Sequence, residues 1–172
     1  MTSRERVKKA LTFETVDRVP LELEYGVEGF VSDVGYPRYS YGKGKSGGQY
    51  GKKGNYTDAW GCVWECGEDG VKGEVKASPL SDWSALSSFK VPMDILEDAD
   101  LSAVNGQCAG SDKFMIHMWG TEVFQRMQYL RGTEQLFYDL AYGDREVYQL
   151  RDMVWEYYLK DVEMWAATDV DA

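Results

Sequence analysis

The chain has 172 residues, 44% of them hydrophobic and 28% charged, enough to bury one ordinary core and too apolar for a disordered polymer. Its net charge of -10 argues against nucleic acid or an anionic membrane as partner for the body of the protein. A charged amino terminus, no run near the roughly 20 apolar residues that span a bilayer, and only Cys62, Cys66 and Cys108 as thiols together suggest a cytoplasmic protein.

Thr2 and Glu5 have capping-box spacing, and Val7, Ala10 and Leu11 lay an apolar stripe among Arg4, Arg6, Lys8 and Lys9, which predicts a short helix. Asp17-Arg18-Val19-Pro20 breaks it. Leu21, Leu23 and Tyr25 then alternate with Glu22 and Glu24, the pattern of a strand with two carboxylates on one face. That face is either an acid-base or ligand pair at a barrel mouth or simply solvated, since unpaired buried carboxylates are costly.

Residues 35–57 are rich in Gly and Tyr and carry Arg38, Lys43, Lys45, Lys52 and Lys53 without one acidic residue, as expected of a flexible basic loop. Three readings stand for it: a lid whose cations draw in a polyanionic substrate, an RNA-binding stretch of interleaved aromatics and cations, or a surface insertion without a ligand. Asp58 to Val75 predicts a hairpin turning at Gly67-Glu68-Asp69-Gly70. Cys62 and Cys66 have the spacing of half a metal site, with no second ligand pair nearby. Ser81 or Asp82 can cap a helical turn that ends at Val91-Pro92, and the acidic stretch from Asp94 to Asp100 reads as a solvated helix face or connector.

Phe114, Met115, Ile116 and Met118 form a strand-length apolar run closed by Gly120, with Thr121 able to cap the next helix. His117 and Trp119 stand at the far end of that run, where ligands meet the strands of a parallel sheet. The alternative for His117 is a histidine satisfied in the core. Two helices follow, meeting at Arg131-Gly132, with Thr133 as cap of the second. After Gly143-Asp144 comes a helix of about twenty residues with its stripe through Val147, Leu150, Val154, Tyr157, Tyr158, Asp161 and Trp165. Thr168 to Ala172 reads as the start of a further strand.

Taken together, MTSRERVKKAL with DRVPLEL, DAWGCVWE with GEVKASPLSDWSAL, FQRMQYLRGTEQLFYDLAY, and a long helix running into DVDA resemble the amino-terminal half of the uroporphyrinogen decarboxylase family. The resemblance spans essentially all 172 residues in the family's order. It implies an α/β fold, a partial (β/α)8 TIM barrel with an inserted β-hairpin and the Gly/Lys/Tyr-rich loop, the whole being a single incomplete domain over residues 1–172. A full barrel of this kind typically needs about 250 residues. An open half exposes strand edges, which implies either a fragment or assembly with another copy.

The family's decarboxylases strip carboxyl groups from a porphyrinogen without a cofactor, with an aspartate holding the pyrrole nitrogens and arginines holding the carboxylates. Their arginine-rich stretch is missing after Pro20, where Leu21-Glu22-Leu23-Glu24 stands instead. That departure favours the family's second chemistry, methyl transfer involving a corrinoid, over decarboxylation in porphyrin biosynthesis. A non-catalytic half-barrel binding module is a further alternative. In many methyl-transferring relatives a His and two Cys hold zinc late in the barrel; those positions would lie beyond Ala172, so this segment is expected to hold no metal or cofactor itself, zinc and a corrinoid belonging to the full-length protein. The resemblance implies Asp58 and His117 as catalytic groups, with a turn-capping role as the alternative for Asp58. Trp60, Trp119, Arg126, Arg131, Arg38, Lys43 and Lys45 are the candidate substrate-binding residues. Arg126 and Arg131 are five apart and do not share a helix face, so one is expected to bind substrate and the other to hold Asp139 or a carbonyl. Expected partners are a tetrapyrrole or a corrinoid protein and, through the open half-barrel, another copy of the chain.

Overall fold

The computed structural model describes residues 1–23, 28–42, 51–117 and 122–172. Among them are six α-helices, one 3-10 helix, a two-stranded parallel sheet and a three-stranded antiparallel sheet, a mixed α/β arrangement with no closed barrel among the described residues. None of the described helices is long and apolar enough to cross a membrane. The chain divides into two compact units, the first made of Met1–Ser40, Ala99–Gly120 and Val162–Ala172, the second of Tyr41–Asp98 and Thr121–Asp161.

In the first unit, α1 (Ser3–Leu11) starts at the expected capping box: Thr2 Oγ1 accepts from Glu5 N at 3.1 Å and the Glu5 carboxylate from Thr2 N at 2.9 Å. Two orphan amides are satisfied, a cap typically contributing about 1 kcal/mol. β1 (Val34–Gly35) pairs in parallel with β5 (Phe114–Met115), Val34 opposite Phe114 and Gly35 opposite Met115. A side chain at Gly35 would put a carbon 2.8 Å from the Met115 sulfur, so the methionine would have to shift to admit one. α3 (Val104–Ala109) supplies Val104 and Cys108, one turn apart, to a core completed by Met115 and Trp165. This helix was not expected, because Asn105 and Gly106 hide a stripe of only two residues.

Asp33 organises this unit. Its side chain is fully buried and accepts from Ser3 Oγ at 2.7 Å, Arg6 at 2.6 Å, Arg18 at 2.6 and 2.9 Å, and the Leu21 amide at 2.8 Å. Burial works against its ionised form, but the donors from Arg18, Leu21, Ser3 and Arg6 outweigh that and hold its pKa far below the usual carboxylate range. The knot also corrects the strand expectation over the described residues Leu21 to Leu23, which form no regular strand. Asp33 N donates to Leu21 O at 2.7 Å, but the amides of Leu21 and Leu23 go to side chains, Asp33 and Ser32 Oγ, the latter at 3.2 Å, where a neighbouring strand's carbonyls would have taken them. Glu24 and Tyr25 lie outside the described residues. Glu22 is exposed and takes a hydrogen bond from the Tyr36 hydroxyl.

The terminal residues run beside β5 without forming a regular strand: Asp171 N donates to Met115 O at 2.7 Å and His117 N to Ala172 O at 3.0 Å. Ion pairs from Arg4 at 2.9 Å and Lys8 at 2.7 Å to Asp171 tie them to α1.

In the second unit, β2 (Gly54–Thr57), β3 (Val63–Cys66) and β4 (Glu74–Ala77) form the antiparallel sheet in that order. The expected hairpin is β3 and β4, and β2 adds a strand from the tail of the basic loop. Gly73 sits at φ 82° with Glu65 O only 2.5 Å from where a Cβ would stand, so the return of the hairpin requires glycine. Cys62, Trp64 and Cys66 alternate inward, each buried. Asp82 caps the 3-10 helix (Trp83–Ser88) by accepting from Ser84 N at 2.8 Å, and α2 (Asp94–Glu97) is the short acidic helix.

α4 (Val123–Arg131) and α5 (Thr133–Tyr142) meet at Gly132. Thr133 is the first helical residue of α5, not its cap. The cap position falls on Gly132, whose carbonyl takes the Leu136 amide at 2.9 Å, because no further residue separates the helices. α6 (Arg145–Ala166) buries Val147, Leu150, Val154, Tyr157 and Tyr158 along the expected stripe. Each fully buried aliphatic side chain there contributes about 1.5–3 kcal/mol.

Candidate functional site

Three of the expected site residues converge in the second unit. The chain leaves β2 at Thr57 and turns tightly before β3, with Asp58 N donating to Cys62 O at 2.9 Å and Gly61 N to Asp58 O at 3.0 Å. Within that turn Asp58 Oδ1 accepts from the amides of Trp60 and Cys62, both at 2.9 Å. This is the turn-capping role of an aspartate. Oδ2 faces outward from the turn and meets two side chains, Trp64 Nε1 at 2.9 Å and an Arg126 terminal nitrogen at 3.4 Å. Asp58 therefore does both things: one oxygen shapes the loop while the other joins a polar cluster.

Arg126 reaches this place from the middle of α4. Its guanidinium lies over the Trp60 ring, 4.8 Å from the centroid, and 5.7 Å from that of Tyr129, with Nε 3.5 Å from the Tyr158 hydroxyl. Burial alone would lower its pKa, but the Tyr158 hydroxyl and the Asp58 carboxylate reverse that and raise it. Its contacts to Asp58 and Tyr158 stand at the long end of hydrogen-bond range. Side-chain exposures of 20% for Arg126 and 19% for Asp58 leave both within reach of a ligand.

Around them stands an aromatic wall. Trp60 packs edge-on against Tyr157 at 4.8 Å, Trp64 edge-on against Tyr129 at 4.9 Å, and Tyr56 lies parallel to Trp64 at 6.1 Å. Lys72 closes the far side, its amine 3.0 Å from the Tyr129 hydroxyl and 5.0 Å from that ring's centroid. Trp60 and Trp64 are themselves buried, so what a ligand can reach is the partly exposed Tyr56 and Tyr129 with the two cations. Cys62 is buried beneath; burial and then the Asp58 charge push its thiol up to about 12, so at neutral pH it is not a nucleophile. Tyr157 is likewise raised, by burial first and by Asp161 second.

Trp64, Tyr129, Tyr158 and Lys72 were not among the expected site residues. One signal was available for Tyr129, which follows Arg126 by three positions on the same helical face. Trp64 had none beyond its inward place on the strand, and Tyr158 was hidden in a stripe that reads as packing.

Arg131 requires a correction. It is buried, with Nε 2.6 Å from Asp139 Oδ2 and one terminal nitrogen donating to Leu80 O at 2.8 Å and Ser81 O at 2.5 Å, while its plane covers Trp83 at 4.2 Å. Burial acts to raise the Asp139 pKa, and the hydrogen bonds from Arg131 and Gln135 more than offset it. Arg131 thus binds α4 to α5 and to the 3-10 segment, its donors committed inside the fold. Of the two roles expected for the pair, Arg131 takes the one that holds Asp139 and carbonyls, while Arg126 stands at the partly exposed cluster.

His117 and Arg38 belong to the first unit. The His117 ring is stacked on Trp165 at 3.6 Å and 10°, with Tyr39 edge-on to both, at 5.2 Å from His117 and 4.7 Å from Trp165. The imidazole is part of an aromatic stack at the edge of that unit's core. Arg38 is exposed, and its backbone exchanges two 2.8 Å hydrogen bonds with the Gln107 side chain. Lys43, Lys45 and Trp119 lie outside the described residues. Among the described residues no group of three His, Cys, Asp or Glu side chains is placed to hold a metal ion. Cys66 instead donates to the carbonyls of Glu68 at 2.9 Å and Val71 at 3.1 Å, holding the hairpin turn.

No family model, curated protein or solved structure matches the chain.

Proposed function

We propose that the chain is the amino-terminal half of a tetrapyrrole-handling barrel of the uroporphyrinogen decarboxylase kind, and that its reaction is corrinoid-linked methyl transfer. The observation that carries this reading is the meeting of Asp58 and Arg126 among aromatic side chains. A carboxylate and a guanidinium side by side, partly exposed, suit a large ring that presents both hydrogen-bond donors and acidic or amide edges. The order of motifs along the chain supports the fold, and the parallel pairing of β1 with β5 is of the type such a barrel uses. A corrinoid, when bound, supplies the cobalt that carries the methyl group. In this chain Arg126, Lys72, Tyr56 and Tyr129 would hold the ring's periphery, and Asp58 would accept a hydrogen bond from it. Zinc does not fit the described residues, since no three His, Cys, Asp or Glu side chains among them converge.

Cofactor-free decarboxylation is the second reading, favoured by one observation. Arg126 is loosely held and can turn both terminal nitrogens to a substrate carboxylate. Titration of the protein with hydroxocobalamin and, separately, with a polycarboxylate porphyrin tests both readings through tryptophan fluorescence. Methyl transfer predicts quenching by the corrinoid that is weakened about tenfold in Arg126→Gln, in line with the loss of a charge-assisted contact. Quenching by the porphyrin alone would move the assignment to decarboxylation. A folded protein that responds to neither ring is not a tetrapyrrole protein.

A further inference from the structure

Tyr129 has two cations over its ring, Arg126 at 5.7 Å and Lys72 at 5.0 Å from the centroid. They arrive from different elements. Arg126 stands one turn earlier on α4, while Lys72 comes from the return of the hairpin between β3 and β4. There Gly73 fixes the next stretch of backbone, and the Tyr56 hydroxyl donates to Lys72 O at 3.4 Å. The Lys72 amine also lies over Trp64, 5.7 Å from its centroid. A guanidinium and an ammonium brought to one ring repel each other unless a counter-charge stands with them.

The fold supplies little of that counter-charge. Asp58 is the carboxylate of the cluster, and three donors at 2.9 Å already occupy it, the amides of Trp60 and Cys62 and the Trp64 indole, with Arg126 a distant fourth at 3.4 Å. Of the neighbouring acids, Glu74 is held by Lys76 at 2.7 Å, Asp69 by Lys52 at 3.4 Å and Asp161 by the Tyr41 hydroxyl at 2.5 Å, and Glu122 lies against the Gln125 amide. Glu65 and Glu68 are exposed and pair with neither cation. Among the described residues Lys72 has no ion-pair partner, its amine donating to the Tyr129 hydroxyl, and one terminal nitrogen of Arg126 has no acceptor. An ammonium carries three donors and a guanidinium five, so most of this capacity is unspent.

On the corrinoid reading of this site, we propose that Arg126 and Lys72 together bind an oxyanion on the rim of the ligand, and that this is the phosphodiester of the corrinoid's nucleotide tail. The side chains round a corrin ring end in neutral amides, which gain little from a cation that water already solvates. The phosphodiester is the ionised group among them. Between a guanidinium and an ammonium it takes charge-assisted hydrogen bonds, about twice as strong as those to a neutral acceptor. A porphyrin carboxylate is the other source of the same chemistry.

Equilibrium dialysis of the full chain against hydroxocobalamin and against aquohydroxocobinamide, the same ring without the phosphate and base, tests this through the absorbance of the corrinoid itself. The parent is expected to hold hydroxocobalamin about tenfold more tightly than the cobinamide, a preference that shrinks as salt is added. Lys72 is exposed, so Lys72→Gln is expected to fold as the parent does and to bring the two affinities together, whereas Lys72→Arg keeps them apart. Equal affinities in the parent, or a preference that neither salt nor Lys72→Gln reduces and that therefore comes from the nucleotide base, would overturn the anion pair while leaving corrinoid binding intact. Dependence on Lys72 seen only with a polycarboxylate porphyrin would overturn the phosphodiester in favour of a carboxylate. A folded protein that retains neither corrinoid overturns the corrinoid reading and this inference with it.

Discussion

Each unit is built round one aspartate, and the two aspartates are held differently. Asp33 is fully buried between two guanidiniums with contacts of 2.6 to 2.9 Å, whereas Asp58 keeps 19% of its side chain exposed and meets its one guanidinium at 3.4 Å. A buried carboxylate with every lone pair taken fixes the fold, since any loss leaves buried charge uncompensated. A partly exposed one with a loosely held cation beside it keeps interaction capacity for something else. The pair Arg131 and Arg126 repeats the contrast within one helix. The difference teaches that tight, short-range satisfaction marks structure here, and that slack marks the candidate site.

The strongest way to break this comparison is Asp33→Ala. Arg6 would keep only the Asp17 carboxylate and Arg18 would lose its carboxylate partner, leaving the buried face of the knot uncompensated, and we expect a loss of about 3 kcal/mol in urea unfolding. A loss near that of an exposed residue would mean that the knot is not what holds the first unit. Acid titration of the parent chain comes next. Asp33, Asp17 and Asp139 all have folded pKa values below their ordinary ones, Asp17 chiefly through its bond to Arg6, so the unfolded chain binds protons first as pH falls. Their contribution is therefore complete at neutral pH and is lost as pH drops through about 4, the ordinary carboxylate value, and below it. Denaturant midpoints at descending pH should fall in the parent and fall less steeply in Asp33→Ala; equal slopes would remove Asp33 from the account. The smallest effect sharpens the comparison from the other side. Trp64→Phe keeps an aromatic ring but deletes the indole donor to Asp58, and we expect a cost of only about 1 kcal/mol because Asp58 Oδ2 retains access to water and to Arg126. A cost matching that of Asp33→Ala would show that Asp58 too is a structural knot.

Much of the fold is legible in the residues, and the parts that are not share a cause. The Thr2 and Glu5 cap, the Asp82 cap and the stripe of α6 all depend on residues a few positions apart, and each stands where spacing and propensity place it, while the hairpin of β3 and β4 forms with its return at Glu74–Ala77, later than the turn at Gly67 to Gly70 suggests. Leu21 to Leu23 misleads because its alternation is real, while its amides are taken by side chains some ten positions away. Within the candidate site, Asp58, Trp60 and Arg126 could be nominated from residue type and motif order. That Asp58 Oδ2 meets Trp64 and Arg126 depends on packing β3 against α4 and is written nowhere locally.

The sequence by itself therefore determined the local elements, the acidic character of the chain and the short roster from which a site can be drawn. Only the tertiary structure decided which of two arginines is committed to the fold, which aspartates are buried, and which aromatic residues stay partly exposed. The physical reason is that a helix cap or stripe is settled within a turn or two of backbone. The environment of a charge is settled by partners tens of residues away, as Arg126 is by Asp58 and Asp33 by Arg6 and Arg18.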